Sequence, residues 1–299
     1  MATERELRKR IKSVKNTSQI TSALGAISAS KANRAQAQVQ ATRAYAGKAF
    51  EILNNLAAST AATQHPLLTT RSEIKNTAII LITGDRGLAG SYNTDIVRLV
   101  ERFSAALGHQ PQLVTVGKKG RDLVIRRGMN VIASFEGIPD APNMLDITPI
   151  AQVVVKDYLA GKVDEVFVAY TDFLNMVSRK PSVKQLLPLK PLDFEGMAVA
   201  EYVRNVDLTG VSERDYTYEP AAEALLNTIV PRFVDLQLYQ SVLEAKASEH
   251  SARYVAMNNA TDNAAVLIED LTLERNKARQ ATITAEILDI VGGAEALAA

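Results

Sequence analysis

Apolar positions near the start of the chain repeat at helical spacing across residues 4–57. The stripe they form is thin, because residues 28–49 are mostly alanine, glutamine, serine and arginine. Such a sequence favours one long helix, which at about 1.5 Å per residue would reach roughly 80 Å. We expect it to pair with another helix, since no compact domain of this size is that long. The apolar positions are Leu7, Ile11, Val14, Leu24, Ile27, Tyr45, Ile52 and Leu56.

The middle of the chain alternates short apolar runs with helical stretches. Strands and helices that alternate in this way predict a parallel α/β sheet. A last strand over 183–189 is predicted at the sheet edge, because Pro181 and Pro188 bracket it. The other strand runs are TAIILI (77–82), QLVTV (112–116), NVIA (130–133) and DEVFVAY (164–170), and the helical stretches between them include 91–106 and 146–159.

The helical period returns after a stretch with no sustained pattern and persists almost to the end of the chain. Pro231 lies inside this series and predicts a kink, and about 75 helical residues would span roughly 110 Å. The sequence therefore predicts an α/β fold in which a long antiparallel coiled coil of N- and C-terminal helices accompanies a Rossmann-like α/β domain. The predicted segments are an N-terminal shaft helix (1–57), a connector (58–76), the α/β domain (77–190), a linker (191–215) and a C-terminal shaft helix (216–299).

Charge and composition narrow the classes of partner. The formal net charge is +1, from 34 Lys+Arg and 33 Asp+Glu, so no overall field attracts the chain to nucleic acid or lipid. Residues 1–15 are locally basic, which is typical of a solvated helix face and also fits a collar against an acidic partner. The chain has 0 cysteines, and no apolar run approaches the roughly 20 residues that span a bilayer. Membrane association is therefore expected only through partners.

One motif could bind phosphate. GDRGLAG (84–90) lies between a predicted strand and a predicted helix, where backbone N–H groups can surround an anion. Its glycines do not follow G-x-G-x-x-G, however, and no Lys-Ser or Lys-Thr pair follows them. The next strand ends at Gly117 and two lysines, where a ribose-binding carboxylate would be expected. We favour a structural turn over a nucleotide site and predict no cofactor.

The sequence gives little evidence for metal-binding or catalytic residues elsewhere in the chain. His65, His109 and His250 have no metal-ligand spacing, and with no cysteine to complete a site we predict no metal centre. The carboxylate pairs 269–270 and 286/289 are better explained as solvated helix faces. The sequence thus predicts no catalytic residue.

Segments along nearly the whole chain resemble the gamma subunit family of F-type ATP synthases. They are RIKSVKNTSQITSALGAISASKANRAQ (10–36), ITGDRGLAGSYN (82–93), AYTDFLNMVSRKPSVKQLLPL (169–189), the segment 216–264 with SEHSARYVAMNNATDNA, and NKARQATITAEILDIVGGAEAL (276–297). The departures are Ser22 and Leu24, where the family usually has Lys and Met, and the charged pair Glu274–Arg275 in place of apolar or aromatic residues.

The resemblance implies a central rotating stalk that is not itself an enzyme. It implies one copy per complex and, as partners, the alpha and beta subunits of the catalytic head, the epsilon subunit and the c-ring. It also implies a peripheral position on the cytoplasmic face of a bacterial membrane. Family positions that couple to beta match Leu24, Arg253, Arg279, Gln280 and Thr284, and those that contact the c-ring or epsilon match Tyr216, Tyr218 and Glu219.

Two other functions remain possible from the residues alone. A Rossmann-like nucleotide-binding enzyme with helical arms is disfavoured by the glycine spacing. A generic coiled-coil scaffold is disfavoured by the specific C-terminal motifs.

Overall fold

The computed structural model describes residues 3–57, 65–189 and 222–298. Two long helices enclose five strands and three shorter helices in chain order. Their bounds are α1 Glu4–Ala57, β1 Thr77–Ile82, α2 Tyr92–Leu107, β2 Gln112–Val116, α3 Lys118–Arg126, β3 Val131–Phe135, α4 Met144–Leu159, β4 Glu165–Phe173, β5 Arg179–Leu187 and α5 Ala222–Ala298.

The five strands form one sheet in the order β3-β2-β1-β4-β5. β1 to β4 are parallel, as the alternating pattern predicts, whereas β5 runs antiparallel to β4. This direction follows from the short loop 174–178, which allows a hairpin, whereas a parallel connection needs a longer crossover. The predicted edge position is confirmed. β5 includes Pro181, which an edge strand tolerates because one side of it makes no ladder.

The sheet is covered on both faces by apolar side chains. All six residues of β1 are buried, and alternate ones belong to different clusters, as the strand period of two requires. Ile79 and Leu81 pack with α2 and α3, whereas Ile80 and Ile82 pack with α4 and α5. Each buried aliphatic side chain contributes about 1.5–3 kcal/mol relative to exposure, so this double layer holds the sheet together.

A capping box fixes the start of α4 two residues before the predicted one. The Asn143 side chain accepts the N–H of Asp146 at 3.1 Å, and the Asp146 carboxylate accepts the N–H of Asn143 at 2.8 Å. This reciprocal arrangement satisfies two backbone donors at the helix start.

The segment 65–76 is bound to the edge of the α/β fold by a charged cluster. The Asp164 carboxylate accepts hydrogen bonds from Arg71 at 2.8 Å and from the N–H groups of Lys75 and Asn76 at 2.8 and 2.9 Å. These three bonds lower the pKa of Asp164 against the effect of its burial, which acts in the opposite direction.

The chain forms two compact units, Met1–Ile27 with Tyr254–Ala299, and Ser28–Arg253. In the first unit the two terminal helices pair antiparallel, as predicted: Leu7 packs with Leu271, and the hydroxyl oxygens of Thr21 and Thr261 lie 2.7 Å apart. A Cβ placed on Gly25 would lie 3.1 Å from Asn258, so the helices approach closely there. The second unit contains the sheet. Within the described ranges, no helix is long and apolar enough to cross a membrane.

Candidate functional site

The glycine motif forms a tight turn between β1 and α2. The N–H of Gly84 donates to the Asn93 side chain at 2.9 Å, and the Asp85 carboxylate accepts the N–H of Lys118 at 2.9 Å and of Gly137 at 3.1 Å. Leu88 has a positive φ of 63°, which is uncommon for a bulky residue. Asp85 thus connects this turn to the start of α3 and to the loop that follows β3.

Side chains of α2 and α5 fill the crevice beyond the carboxyl ends of β1 and β2. The Tyr92 hydroxyl donates to the Ala245 carbonyl at 2.9 Å, and Lys246 donates to the Ile138 carbonyl at 3.0 Å. A Cβ on Gly84 would lie 2.7 Å from the Glu249 carboxylate. The remaining cavity is about 10 Å³, which is room for one water molecule rather than a nucleotide.

Arg253 lies in this filled crevice. Its guanidinium forms an ion pair with Glu249 one turn earlier at 2.6 Å, and its Nε and Nη2 lie 3.4 Å from the Gly87 carbonyl. The two side chains are 13% and 7% exposed. Glu249 and Arg253 are four residues apart on a helix, a spacing that makes their side chains neighbours.

A second polar group near the crevice centres on His250. Its Nε2 lies 3.2 Å from one oxygen of Asp140, and Lys31 binds the other oxygen at 2.7 Å. Burial lowers the pKa of His250, so the imidazole is neutral near pH 7. The group therefore connects α1 and α5 with the loop before α4.

A buried charged triad lies between α5 and the β4–β5 hairpin, and nothing in the sequence pattern pointed to it. Lys184 on β5 donates to Asp172 and to the Tyr170 hydroxyl, both at 2.8 Å, and Ser182 donates to Asp172 at 2.5 Å. Glu244 on α5 is buried beside this pair, and its carboxyl group interacts electrostatically with Asp172 and Lys184. The triad residues are Asp172 (5% exposed), Lys184 (8%) and Glu244 (4%).

The triad predicts a pH dependence of stability. Burial, reinforced by the charge of Asp172, raises the pKa of Glu244 from 4.5 to about 8. The folded chain then holds a proton that the unfolded chain has released. The stabilisation is full below the unfolded pKa and is lost as pH rises through the folded pKa. The free energy of unfolding should fall between about pH 5 and pH 8, by up to about 1.4 kcal/mol per pH unit.

The Glu244→Gln variant is the control for this prediction, because its amide keeps the shape of the neutral carboxyl and does not titrate. Urea unfolding of both proteins across that pH range gives the free energy of unfolding as a function of pH. If this free energy falls with pH equally in the two proteins, Glu244 does not cause the pH dependence.

The last part of α5 presents an entirely exposed surface. Every residue from 281 to 294 is exposed, and Arg279, Gln280 and Thr284 lie in or beside this stretch. The Thr284 hydroxyl donates to the Gln280 carbonyl at 3.0 Å, so these two positions share one helix face. The structure thus brings together three of the predicted coupling residues. The exposed aliphatic residues on the stretch are Ile283, Ile287, Leu288, Ile290 and Val291.

The remaining predicted residues lie elsewhere. Leu24 is partly buried in the helix pair. Arg275 donates to Asn276 at 3.0 Å, and Glu274 is exposed, as a solvent-facing pair allows. Tyr216, Tyr218 and Glu219 fall outside the described residues.

The histidines lie in three separate environments. His65 accepts the N–H of Leu67 at 3.2 Å, and His109 lies 2.9 Å from the Thr77 hydroxyl. Across the described ranges, no group of three or more His, Cys, Asp or Glu side chains is placed to hold a metal ion.

Sequence comparisons identify close relatives over the full length. The ATP synthase family profile matches residues 3–297. An ATP synthase gamma chain from Roseiflexus castenholzii is 44% identical and covers 100% of this chain and 99% of its own length. One from Moorella thermoacetica is 43% identical, with 99% and 100% covered.

Structural comparisons agree with the sequence relatives. A chain in the central stalk and c-ring structure of the Tetrahymena thermophila mitochondrial ATP synthase is 26% identical, with a TM-score of 0.60 over 81% of this chain and 99% of that one. A chain in the Euglena gracilis mitochondrial ATP synthase shares the fold, with a TM-score of 0.69 at 20% identity over 98% and 94%. With its full-length gamma-chain relatives, its paired terminal helices and its filled α/β crevice, the chain belongs to the gamma-chain family of ATP synthases.

Proposed function

We propose that this chain is the central rotating stalk subunit of a proton-translocating F-type ATP synthase. It is a non-catalytic member of a membrane-associated complex and couples rotation of the c-ring to conformational change in the catalytic beta subunits. Its partners are alpha, beta, epsilon and the c-ring, with one copy per complex. The observation that carries the proposal is the fully exposed end of α5. Its exposed aliphatic side chains form a surface that is typical of a contact with other protein subunits.

The two terminal helices are held together by few apolar contacts, and small or polar residues such as Gly25 and Thr21 lie between them. The filled crevice in turn disfavours the alternative of a nucleotide-binding enzyme.

Particular segments serve this function in our proposal. The shaft consists of residues 1–57 and 216–299, and the connector 58–76 and the linker 191–215 join it to the α/β domain 77–190. Tyr216, Tyr218 and Glu219 contact the c-ring or epsilon, and Leu24 and Arg253 couple to beta with the end of α5. These assignments rest on matches to family segments. We also propose that the chain is peripheral, on the cytoplasmic face of a bacterial membrane.

Copurification tests the function directly. The unmodified chain, co-expressed with the alpha and beta subunits of the same organism, should be recovered with them in a complex that hydrolyses ATP. An α5 truncated before residue 279 should lose that association. Recovery of the full chain without alpha and beta would contradict the proposal.

The exposed polar face of α5 predicts a selective coupling defect. Arg279→Ala or Gln280→Ala should lower ATP synthesis several-fold, because a charge-assisted hydrogen bond to a partner is typically worth about 1.5–3 kcal/mol. Helix content and assembly should stay normal, since neither side chain is buried in the chain itself. Synthesis rates in membrane vesicles containing each variant measure the effect.

The exposed Glu274 provides a matched control on the same helix, and Glu274→Ala should leave synthesis unchanged. If the Arg279 and Gln280 variants assemble and synthesise ATP at the unmodified rate, the assignment of coupling contacts fails.

A further inference from the structure

An open groove runs between α2 and the edge strand β5. Two adjoining depressions of about 300 and 320 Å³ form this α2–β5 groove, and both are lined by Asp95 and Pro181. Each volume is at the lower end of the range that holds ligands in proteins. The groove is also lined by Arg98, Leu99, Arg102, Val177 and Arg179.

The groove has an excess of positive charge. Of the described residues that line it, three are arginines and Asp95 is the single carboxylate. The Asp95 carboxylate lies 3.9 Å from Nη1 of Arg98, which is a long separation for an ion pair, and the Arg98 side chain is 66% exposed. The same carboxylate accepts the Ser91 hydroxyl at 2.5 Å, so it is already engaged at the start of α2. Two of the three arginine charges therefore have no counter-charge in the groove.

The arginines are placed to bind carboxylates. Arg98 and Arg102 are one helical turn apart on α2, so their side chains are neighbours, and like charges at this spacing destabilise a helix slightly. Arg179 lies on β5, on the opposite side of the groove. In the part of the chain that the structure describes, neither Arg102 nor Arg179 has an ion-pair partner. A guanidinium binds a carboxylate or phosphate through two parallel N–H groups, so an anionic partner would remove the repulsion.

The apolar part of the groove favours a peptide over a lone anion. Leu99 and Pro181 are half-buried in the groove, and Val177 at one end of it is 71% exposed. A phosphate ion would leave this apolar surface in contact with water. The part of α2 that lines the groove, 92–102, is about 15 Å long, a length that an extended chain covers in about four or five residues.

The edge strand favours recognition through side chains rather than through strand addition. Pro181 lies within β5 and has no N–H group, so a strand added along this edge would lose a backbone hydrogen bond there. Proline on an edge strand commonly protects a sheet from such pairing. The arginines beside it are therefore the groups that would select an occupant.

We propose that the α2–β5 groove binds a short acidic segment of a partner protein. Carboxylates of the segment bind the three arginines, and an aliphatic side chain between them packs on Leu99 and Pro181. The residues assigned above to coupling and to the c-ring do not line this groove. The inference is thus independent of the proposed function and adds an interaction surface on the α/β domain.

Binding can be measured on the full chain with a labelled peptide as the probe. A fluorescein-labelled peptide in which glutamates flank two leucines should show a rise in anisotropy with the parent protein, and its glutamine counterpart should not. Binding should weaken as the salt concentration rises, because the charges are accessible to solvent. The variant R98E/R102E should bind the acidic peptide at least about tenfold more weakly, since a hydrogen bond between charged groups contributes about that factor or more.

A matched control separates the groove from the overall charge of the domain. The variant K119E/R126E reverses two exposed cations on α3 that do not line the groove, and it should keep the parent affinity. A peptide with lysines in place of the glutamates should bind R98E/R102E more tightly than it binds the parent. If R98E/R102E does not fold, as judged by urea unfolding, R98Q/R102Q takes its place and should also lose affinity.

Four results would overturn the proposal. The acidic peptide does not bind the parent protein, or it binds R98E/R102E and the parent equally well. Inorganic phosphate displaces the peptide at concentrations similar to that of the peptide itself, which would make the groove a general anion site. Vesicles with anionic lipids bind the parent but not R98E/R102E while the peptide does not bind, which would assign the arginines to a membrane surface.

Discussion

Replacing Gly117 with alanine is expected to abolish stable folding of the α/β domain or to cost about 3–5 kcal/mol. A Cβ at this position would lie 2.2 Å from the Thr83 carbonyl oxygen, and the residue has a φ of +102°, which side chains rarely adopt. Gly117 also donates its N–H to the Phe135 carbonyl at 2.8 Å, so the backbone cannot move away freely. Domains are stable by only about 5–15 kcal/mol, so the loss should be visible in a urea unfolding midpoint.

Gly128 provides the matched control. It also has a positive φ, +72°, but a Cβ there would meet nothing within 4 Å. Gly128→Ala should therefore cost only the backbone strain, about 1–2 kcal/mol. If both variants lose the same free energy of unfolding, the residues that follow β1 and β2 do not approach each other as closely as described.

The second large effect is expected from Arg253→Ala. The substitution leaves the Glu249 carboxylate, 7% exposed, without its ion-pair partner against the glycine turn. Breaking one side of a buried ion pair typically costs about 3–5 kcal/mol. The isolated chain should unfold at clearly lower urea concentration, because Arg253 stabilises the crevice that α5 fills.

The double variant Glu249→Leu with Arg253→Met distinguishes two roles of this arginine. With both charges removed, the stability of the isolated chain should largely return. If the single variant is as stable as the parent chain but synthesises less ATP when assembled, Arg253 acts only on a partner subunit and the internal role is refuted.

The hydrophobic pattern predicts the central parallel strands best. β1 and β2 begin and end where the apolar runs do, because both faces of these central strands are covered. β4 and β5 extend beyond their apolar runs, through polar residues such as Asp172 and Lys180. Strand length there is determined by backbone pairing between the two, which no hydrophobic pattern records.

The candidate site was predictable only in part. The glycines of 84–90 predict a turn, and the chain turns there between β1 and α2. The sequence does not predict which side chains fill the crevice. Glu249 and Gly84 are far apart in sequence and come together only when α5 packs on the sheet. The charged triad could not be predicted for the same reason. A glutamate on a helix is normally exposed to solvent, and only tertiary packing buries Glu244.

The exposed end of α5 also has a consequence for the life of the newly made chain. A single helix that presents five exposed aliphatic residues between Ile283 and Val291 is a surface that chaperones and quality-control proteases recognise, and that promotes self-association. Copies made in excess of the catalytic head should therefore be short-lived or aggregate, whereas assembled copies are protected. The exposed aliphatic surface that binds the partner subunits would therefore make the amount of this chain depend on the amount of those subunits.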